Sequence, residues 1–340
     1  MWKLKYPTIK DLQDYEDMML GNLYNRASLC GVPAIKNALI PTVGDRSVLK
    51  TLLTGKVWTA YTLSEKLMGR IFAGYTRDEL NQYFKAIHTK AEYRRDEQDH
   101  LITKYQAWMN EILKVMGYKQ AYDDVKMAYN VTEMKGANVC TYCNRGYIFT
   151  ISTGTRIKDK IARPELDHWY PKSKYPLLSM NYFNLIPSCT VCNSSVKGST
   201  EFHWKTHVHP YLQRDFNPHF EFHFNPVARK GEQVTIDDSY ASEKEKNSIG
   251  AFKLKEVYNC HADLEARELY DLALRHGDHY LRDLLGLIHM GFPDKTEQDI
   301  YRMVFGAEMN PLHFGNRPMS KFKHDLLKQM MVIRHGHWEK

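Results

Sequence analysis

Four of the six cysteines in this chain fall into two Cys-x-x-Cys pairs, Cys140/Cys143 and Cys189/Cys192. Six cysteines in 340 residues are too few for a disulfide scaffold, and paired thiolates at this spacing are typical of metal ligands. Four thiolates complete a tetrahedral zinc site with no open position. The spacing therefore predicts one structural zinc ion. Because 45 residues separate the pairs, we also expect a sizeable insert between them.

The insert contains a carboxylate next to an imidazole, Asp167-His168, with amides at Asn184 just before the second pair and at Asn193 just after it. An Asp-His pair can divide the work of a hydrolysis, with the carboxylate on a cation and the imidazole on a water molecule. Since the ordinary pKa of histidine lies near neutral pH, its neutral form can take the water proton. Carboxylate and amide oxygens suit Mg²⁺ or Mn²⁺ better than zinc.

In this order the motifs resemble the HNH endonucleases of the ββα-metal superfamily, over residues 139–198. The matching residues are Cys140, Cys143, Asp167, His168, Pro171, Ser173, Asn184, Leu185, Cys189, Cys192, Asn193, Lys197 and Gly198. The resemblance implies that His168 is the general base and that Asn184 keeps the surrounding loop in place. It also implies that Asp167 and Asn193 hold one divalent cation, usually magnesium. Asn193 stands where the family often has histidine, and Lys197 follows it by four residues rather than the usual three.

Basic residues flank the Asp-His pair on both sides. We predict nucleic-acid contacts from Arg156, Lys158, Lys160, Arg163, Lys172, Lys174 and Lys197, although the departure in spacing puts the phosphate contact of Lys197 in doubt. The net charge of +7 and the pI near 8.9 fit a polyanionic partner without requiring one. A second group of imidazoles comprises His203, His207, His209, His219 and His223. No cysteine or carboxylate pattern accompanies that group, so we predict structural or surface roles for it.

Helical patterns dominate residues 8–135. Thr76-Arg77-Asp78-Glu79 has the form of a capping box, which predicts that a helix begins there. Three- and four-residue steps then predict a buried helix face made of Leu101, Tyr105, Trp108, Ile112, Val115 and Met116.

Short strands are predicted from residue 136 onward. Residues 147–153 are rich in β-branched and aromatic side chains, and a second strand is expected to end near residues 166–168. Alternation at Phe220, Phe222 and Phe224 predicts a half-buried strand paired with residues 233–236. Helices are predicted over residues 264–285, 296–305 and 321–331.

We therefore expect an α+β protein in which a small ββα-metal nuclease core with a four-cysteine zinc site is flanked by two mainly α-helical regions. The expected units are residues 1–135, 136–226 and 227–340. No run of 18 apolar residues and no apolar signal segment occurs, so we expect a cytoplasmic protein without membrane spans.

The predicted activity is metal-dependent hydrolysis of phosphodiester bonds, with double-stranded DNA as the leading substrate. The alternatives are a zinc-stabilised nucleic-acid-binding module without catalysis and an RNA-cleaving, toxin-like nuclease. Residues 317–322 (Arg-Pro-Met-Ser-Lys-Phe) resemble accessory nucleases that pair with ATPases in bacterial anti-phage defence, such as Septu. That resemblance implies an ATPase partner, and a homo-oligomer is the other assembly we consider.

Overall fold

The computed structural model describes residues 2–329 except 124, 155, 199, 214–216, 273–285, 289 and 292–293. The predicted helix over 264–285 lies largely outside the described residues, as do the last two residues of the predicted 321–331 helix. The described chain is mixed helix and sheet, as predicted, with small two-stranded antiparallel sheets. None of the described helices is long and apolar enough to cross a membrane.

The described part of residues 8–135 is mainly helical, as the periodicity predicted. Their helices are α1 Ile9–Ser28, α2 Pro33–Leu39, α3 Ser47–Thr54, α4 Val57–Ile71, α5 Arg77–His88, α6 Asp96–Met116, α7 Tyr118–Asp123 and α8 Val125–Lys135. Thr76 caps α5 by accepting a hydrogen bond from the Glu79 amide. The Glu79 carboxylate does not complete the box. It binds Lys104 at 2.8 Å and the Tyr105 hydroxyl at 2.7 Å, and so ties α5 to α6.

The buried face of α6 is as predicted except at Trp108. Leu101, Tyr105, Ile112, Val115 and Met116 are buried, whereas Trp108 is 37% exposed and Met109 lies in the core instead. A four-residue step from Tyr105 leads to Met109, so Trp108 falls at the edge of the stripe. There it packs against Phe72, with the ring centroids 5.6 Å apart.

Six short strands follow these helices in the part of the chain that the structure describes. They are β1 Ile151–Ser152, β2 Lys160–Ala162, β3 Glu165–His168, β4 Leu185–Ser188, β5 Glu221–Phe224 and β6 Val234–Asp237. The predicted strand over 147–153 is wrong in extent: only β1 pairs with β2, and Tyr147 forms an isolated bridge with Val139. Phe149 and Thr150 have strand-forming side chains but lie between these two pairings, outside any strand.

The other strand predictions are confirmed. β3 ends at His168 and pairs with β4, with Glu165 opposite Ser188 and His168 opposite Leu185. β5 pairs with β6, and Phe220, Phe222 and Phe224 are all buried. A helical segment of π geometry, Val191–Lys197, begins between the two cysteines of the second pair, so the chain runs strand, strand, helical segment in that order.

Helices return after β6. They include α9 Glu243–Ala251, α10 Leu254–Asn259, a π-helical turn Ala262–Ala266, α11 Glu297–Phe305 and α12 Ser320–Leu327. Thr296 caps α11 in a full capping box with Asp299. One connected cluster of buried apolar side chains runs from Trp2 through the strands to Leu327, so the helical regions and the strands share a core.

Candidate functional site

The four paired cysteines come together, as predicted. The sulfur atoms of Cys140, Cys143, Cys189 and Cys192 all lie within 4.8 Å of one another. Zn–S bonds of about 2.3 Å fit inside a cluster of this size. A backbone amide points at the sulfurs as well: the Cys189 amide lies 3.3 Å from the Cys140 sulfur. The cluster could therefore hold a metal ion such as zinc, and the donor set fits a structural site.

The turn after Cys143 shapes the first half of this cluster. Asn144 has a left-handed backbone (φ 56°), which closes the turn, and its side chain is fully buried. The side-chain amide of Asn144 donates to the Phe314 carbonyl at 2.8 Å, while the Tyr258 hydroxyl donates to the Cys143 carbonyl at 2.6 Å. Residues far along the chain thus hold the cysteine turn in place.

His168, the predicted base, lies at the end of β3 with a half-buried ring. Its Nε2 is 3.0 Å from the Ser179 carbonyl oxygen. Because a carbonyl can only accept, Nε2 carries the proton of the neutral ring and Nδ1 keeps its lone pair. Burial, followed by the charge of Lys172, lowers the pKa of His168 to about 3, so the ring is neutral at physiological pH.

Asn184 braces the loop that follows His168. Its Oδ1 accepts from the Tyr170 amide at 2.6 Å, and its Nδ2 donates to the carbonyls of Tyr170 at 3.1 Å and Leu178 at 2.9 Å. The Asn184 carbonyl also accepts from the Trp169 amide at 2.9 Å. Every polar group of this buried side chain is used, so the geometry suits the loop-orienting role that the resemblance implies.

Asp167 lies beside His168 in sequence, but adjacent side chains of a strand point to opposite faces. The Asp167 carboxylate is buried, and each of its oxygens already has a donor. The Tyr142 hydroxyl lies 2.5 Å from Oδ2, and the Lys197 ammonium lies 3.0 Å from Oδ1. Lys197 also donates to the His168 carbonyl at 2.8 Å.

Asn193 engages a different carboxylate. Its amide nitrogen donates to Glu165 Oε2 at 2.7 Å, and Glu165 is two residues before Asp167 on the same face of β3. The sequence left Glu165 open between a partner of a ligand residue and an ordinary exposed acid, and its contact with Asn193 fits the first of these.

Of the two predicted magnesium ligands, Asp167 is the one whose contacts oppose a divalent cation. Lys197 holds a positive charge against Asp167, whereas the contact of Asn193 with Glu165 uses only its amide nitrogen. A second cation beside Asp167 would be repelled by that ammonium group.

The seven basic residues predicted to contact nucleic acid divide into two groups. Arg156, Lys158, Arg163 and Lys172 are exposed, and Lys160 is half-buried with its ammonium 5.2 Å from the Tyr129 ring centre. The second group comprises Lys174, which is ion-paired with Glu201 at 2.6 Å, and Lys197, which is buried on Asp167. Arg156 of the first group is also ion-paired, with Asp159 at 3.2 Å.

The five additional histidines pack or bond within the fold. His209 is buried with its ring 4.5 Å from Trp169, and burial lowers its pKa to about 3. His207 stacks on Phe202 at 4.3 Å, and His203 contacts Tyr61 at 5.0 Å. His219 lies 3.2 Å from Glu245, and His223 is a half-buried residue of β5.

Comparison with known proteins adds no assignment: no family model, no curated protein and no solved structure matches this chain. Its function is therefore inferred from the residues and geometry of the site.

Proposed function

We propose that this chain is an HNH-type endonuclease that hydrolyses phosphodiester bonds of DNA with His168 as general base. The observation that supports it most is the orientation of His168: the Ser179 carbonyl accepts from Nε2 at 3.0 Å, so in the neutral ring the lone pair that can take a proton is on Nδ1. The ring lies on a strand–strand–helix unit bracketed by the cysteine cluster and braced by Asn184.

In the proposed reaction His168 Nδ1 removes a proton from a water molecule. The water oxygen forms a bond to phosphorus as the bond from phosphorus to the leaving oxygen breaks. A histidine whose pKa is about 3 is a weak base, but a bound phosphodiester places negative charge near the ring and raises that pKa. The Ser179 carbonyl continues to accept from Nε2 in the protonated ring, so its orientation is kept.

The exposed basic residues suit a polyanionic substrate, with double-stranded DNA as the leading candidate. The need for Mg²⁺ or Mn²⁺ remains a prediction, because Asp167 and Asn193, the residues expected to bind the ion, are engaged with other side chains. An ATPase partner and a role in anti-phage defence belong to the same proposal, and they rest on the resemblance of residues 317–322.

Plasmid cleavage by the full chain tests the proposal. We expect His168→Ala to lower the cleavage rate by about 10²- to 10⁴-fold, the usual size of general-base catalysis. The matched control is His313→Ala, which removes an exposed histidine outside the site. Zinc content and the unfolding midpoint of both variants are measured in parallel. A folded, zinc-loaded His168→Ala protein that cuts at the wild-type rate would exclude His168 as the base.

A binding module without catalysis is the second candidate, and the Lys197–Asp167 pair favours it. A filled cation position is what a site that no longer performs metal-dependent chemistry would show. Under this alternative the wild-type chain binds DNA but does not cleave it with Mg²⁺ or Mn²⁺, and His168→Ala leaves binding unchanged.

A further inference from the structure

A short ribbon after the first cysteine pair exposes apolar side chains. We define the ribbon as residues 147–154 and 156–163, which include β1 and β2. Tyr147, Phe149 and Ile151 are 51%, 44% and 44% exposed, while Ile148 between them is buried. Ile161 on β2 is 62% exposed. The exposed residues Tyr147, Phe149 and Ile151 alternate with the less exposed Ile148 and Thr150, and we call these three exposed side chains the stripe.

Two of these side chains make an aromatic surface. The rings of Tyr147 and Phe149 stack with their centroids 4.6 Å apart and their planes within 20° of parallel. Exposed apolar residues scattered singly are ordinary, whereas neighbouring ones form a patch that can serve as a binding surface. A flat ring pair offers a face on which another planar group can stack.

The charge of the ribbon indicates the kind of partner. It contains four basic residues, Arg156, Lys158, Lys160 and Arg163, against one acidic residue, Asp159. Arg156 is paired with Asp159 at 3.2 Å, whereas Lys158 and Arg163 are exposed. Phosphate groups complement this charge, and an apolar protein surface does not.

We propose that the ribbon binds unpaired nucleotides, with bases stacked on Tyr147 and Phe149 and phosphates on Lys158 and Arg163. Aromatic rings beside basic residues are the pattern of single-strand binding, because only unpaired bases expose their flat faces. The inference deepens the proposed function and rests on it, because the proposed function supplies nucleic acid as the substrate. It gives the chain a binding surface for unpaired segments in addition to the duplex DNA that is the leading substrate of the proposed function.

Binding measured by fluorescence anisotropy tests this surface separately from cleavage. The full chain carrying His168→Ala is titrated into a labelled single strand of about 20 nucleotides and the matching blunt duplex. We expect tighter binding of the single strand. Adding Tyr147→Ala with Phe149→Ala should weaken single-strand binding about fivefold or more and leave duplex binding unchanged. Tyr240→Ala, which removes an isolated and strongly exposed tyrosine, is the control.

A second variant checks the phosphate contacts. Lys158→Ala with Arg163→Ala should weaken binding of both DNAs and reduce the dependence of affinity on salt, because fewer counterions are released. Single-strand affinity that does not change in the Tyr147/Phe149 variant would overturn the proposal. The proposal would also be overturned if sedimentation showed that the wild type self-associates and the Tyr147/Phe149 variant does not. The stripe would then be a contact between copies of the chain. If the ribbon binds single strands but the wild type cleaves nothing, the nuclease proposal fails and the ribbon assignment stands.

Discussion

At the scale of single residues, the pair formed by Asp167 and Lys197 decides what the site can bind. Both side chains are almost fully buried, and the Tyr142 hydroxyl completes the environment of the carboxylate. Breaking a buried ion pair on one side leaves an uncompensated charge, which typically costs about 3–5 kcal/mol. The cost of removing Lys197 therefore comes mainly from the buried Asp167 charge that it would leave behind.

The first prediction concerns Lys197→Met. We expect the free energy of unfolding to fall by about 3–5 kcal/mol, because Asp167 loses its counter-charge. Millimolar Mn²⁺ should restore part of that loss, since the site then offers a carboxylate without a competing ammonium group. Urea unfolding of zinc-loaded protein with and without Mn²⁺ measures both effects.

The chain supplies a matched control in Lys135, another buried lysine. Its ammonium donates to the Tyr182 carbonyl at 2.7 Å and lies 3.3 Å from the Tyr211 hydroxyl, so these two hydrogen-bond partners are both uncharged. Lys135→Met should therefore gain nothing from Mn²⁺. A wild-type chain that is stabilised by Mn²⁺ as strongly as Lys197→Met would show that Lys197 does not compete with the ion.

The sequence predicted which residues lie near His168 more accurately than it predicted the contacts between their side chains. The bracing role of Asn184 was expected, and its bonds to Tyr170 and Leu178 agree with it. The position of Lys197 could not be derived, because it depends on the π geometry of Val191–Lys197, which alters how side chains four residues apart are placed. Sequence spacing alone does not distinguish a π turn from an α turn.

At the scale of elements, the cysteine cluster supports a hairpin that is small by itself. β3 and β4 have four residues each, and a lone two-stranded sheet is at best marginally stable. Cys189 directly follows β4, and Cys192 lies in the helical segment, so one cluster fixes both elements. We therefore expect the metal to stabilise the hairpin and the segment together.

The second prediction is that Cys189→Ser loses the bound metal and increases amide exchange at residues 165–168 and 185–188. Zinc analysis of protein purified without added metal, followed by hydrogen exchange, measures both. Cys260→Ser is the control, because Cys260 is exposed and outside the cluster. A hairpin that stays equally protected after the metal is lost would show that the surrounding core suffices.

The packing of α12 against β5 gives the third prediction, which concerns the pH dependence of stability. Asp325 is buried, accepts from the Phe222 amide at 3.0 Å and lies 3.1 Å from the Lys321 ammonium. Burial raises the pKa of Asp325 from its ordinary 3.8 to about 6, although Lys321 opposes the shift and the charge of Glu221 adds to it. The folded state therefore binds the proton more tightly than the unfolded state.

The sign follows from that difference. Between about pH 4 and pH 6 the folded chain holds a proton on Asp325 that the unfolded chain has lost, so stability falls as pH rises through this window. Relative to Asp325→Asn, the wild type should lose on the order of 2–3 kcal/mol over that range and nothing further above it. Urea unfolding of both proteins from pH 4 to pH 8 measures the difference. A constant difference across the range would contradict the shifted pKa.

Helices were easier to predict than strands for a physical reason. A helix such as α6 forms its hydrogen bonds within one periodic segment, so its face can be read from the order of its own residues. A strand needs a partner, and residues 147–153 have suitable side chains but pair only at their two ends. The confirmed pair β5 and β6 differs because both of its strands carry their own pattern.

At the scale of the whole molecule, hydrogen bonds join both helical regions to the loops beside the central strands. From the N-terminal side, Asn181 donates to the carbonyls of Leu52 and Gly55, and Tyr15 donates to Met180. From the C-terminal side, the Phe314 carbonyl accepts from the Asn144 amide. The three units expected from the sequence remain a prediction, but the contacts between them are those of one packed core.

The last prediction is that the chain unfolds in one cooperative transition and that metal removal lowers the stability of all parts together. In the turn after the first cysteine pair, the Cys143 carbonyl accepts from the Tyr258 hydroxyl, and the Asn144 side chain donates to the Phe314 carbonyl. Loss of the metal therefore also releases contacts with the C-terminal region. The N-terminal helices lose support in turn, because Asn181 lies in the loop that Asn184 closes by accepting from Trp169. Calorimetry should give equal calorimetric and van't Hoff enthalpies with the metal bound.

Removing the metal with a chelator should shift that single transition to lower temperature without splitting it. Hydrogen exchange should then show faster exchange in α1 and α12 as well as in the strands, since local openings that share a cooperative unit change together. Asn247→Ala is a suitable control, because its bond to the Thr206 carbonyl lies at the surface and its loss should change stability by less than about 0.5 kcal/mol. Two separate transitions, with α1 unaffected by the chelator, would mean that the N-terminal helices fold as an independent unit and that their contacts with residues 180–181 contribute little.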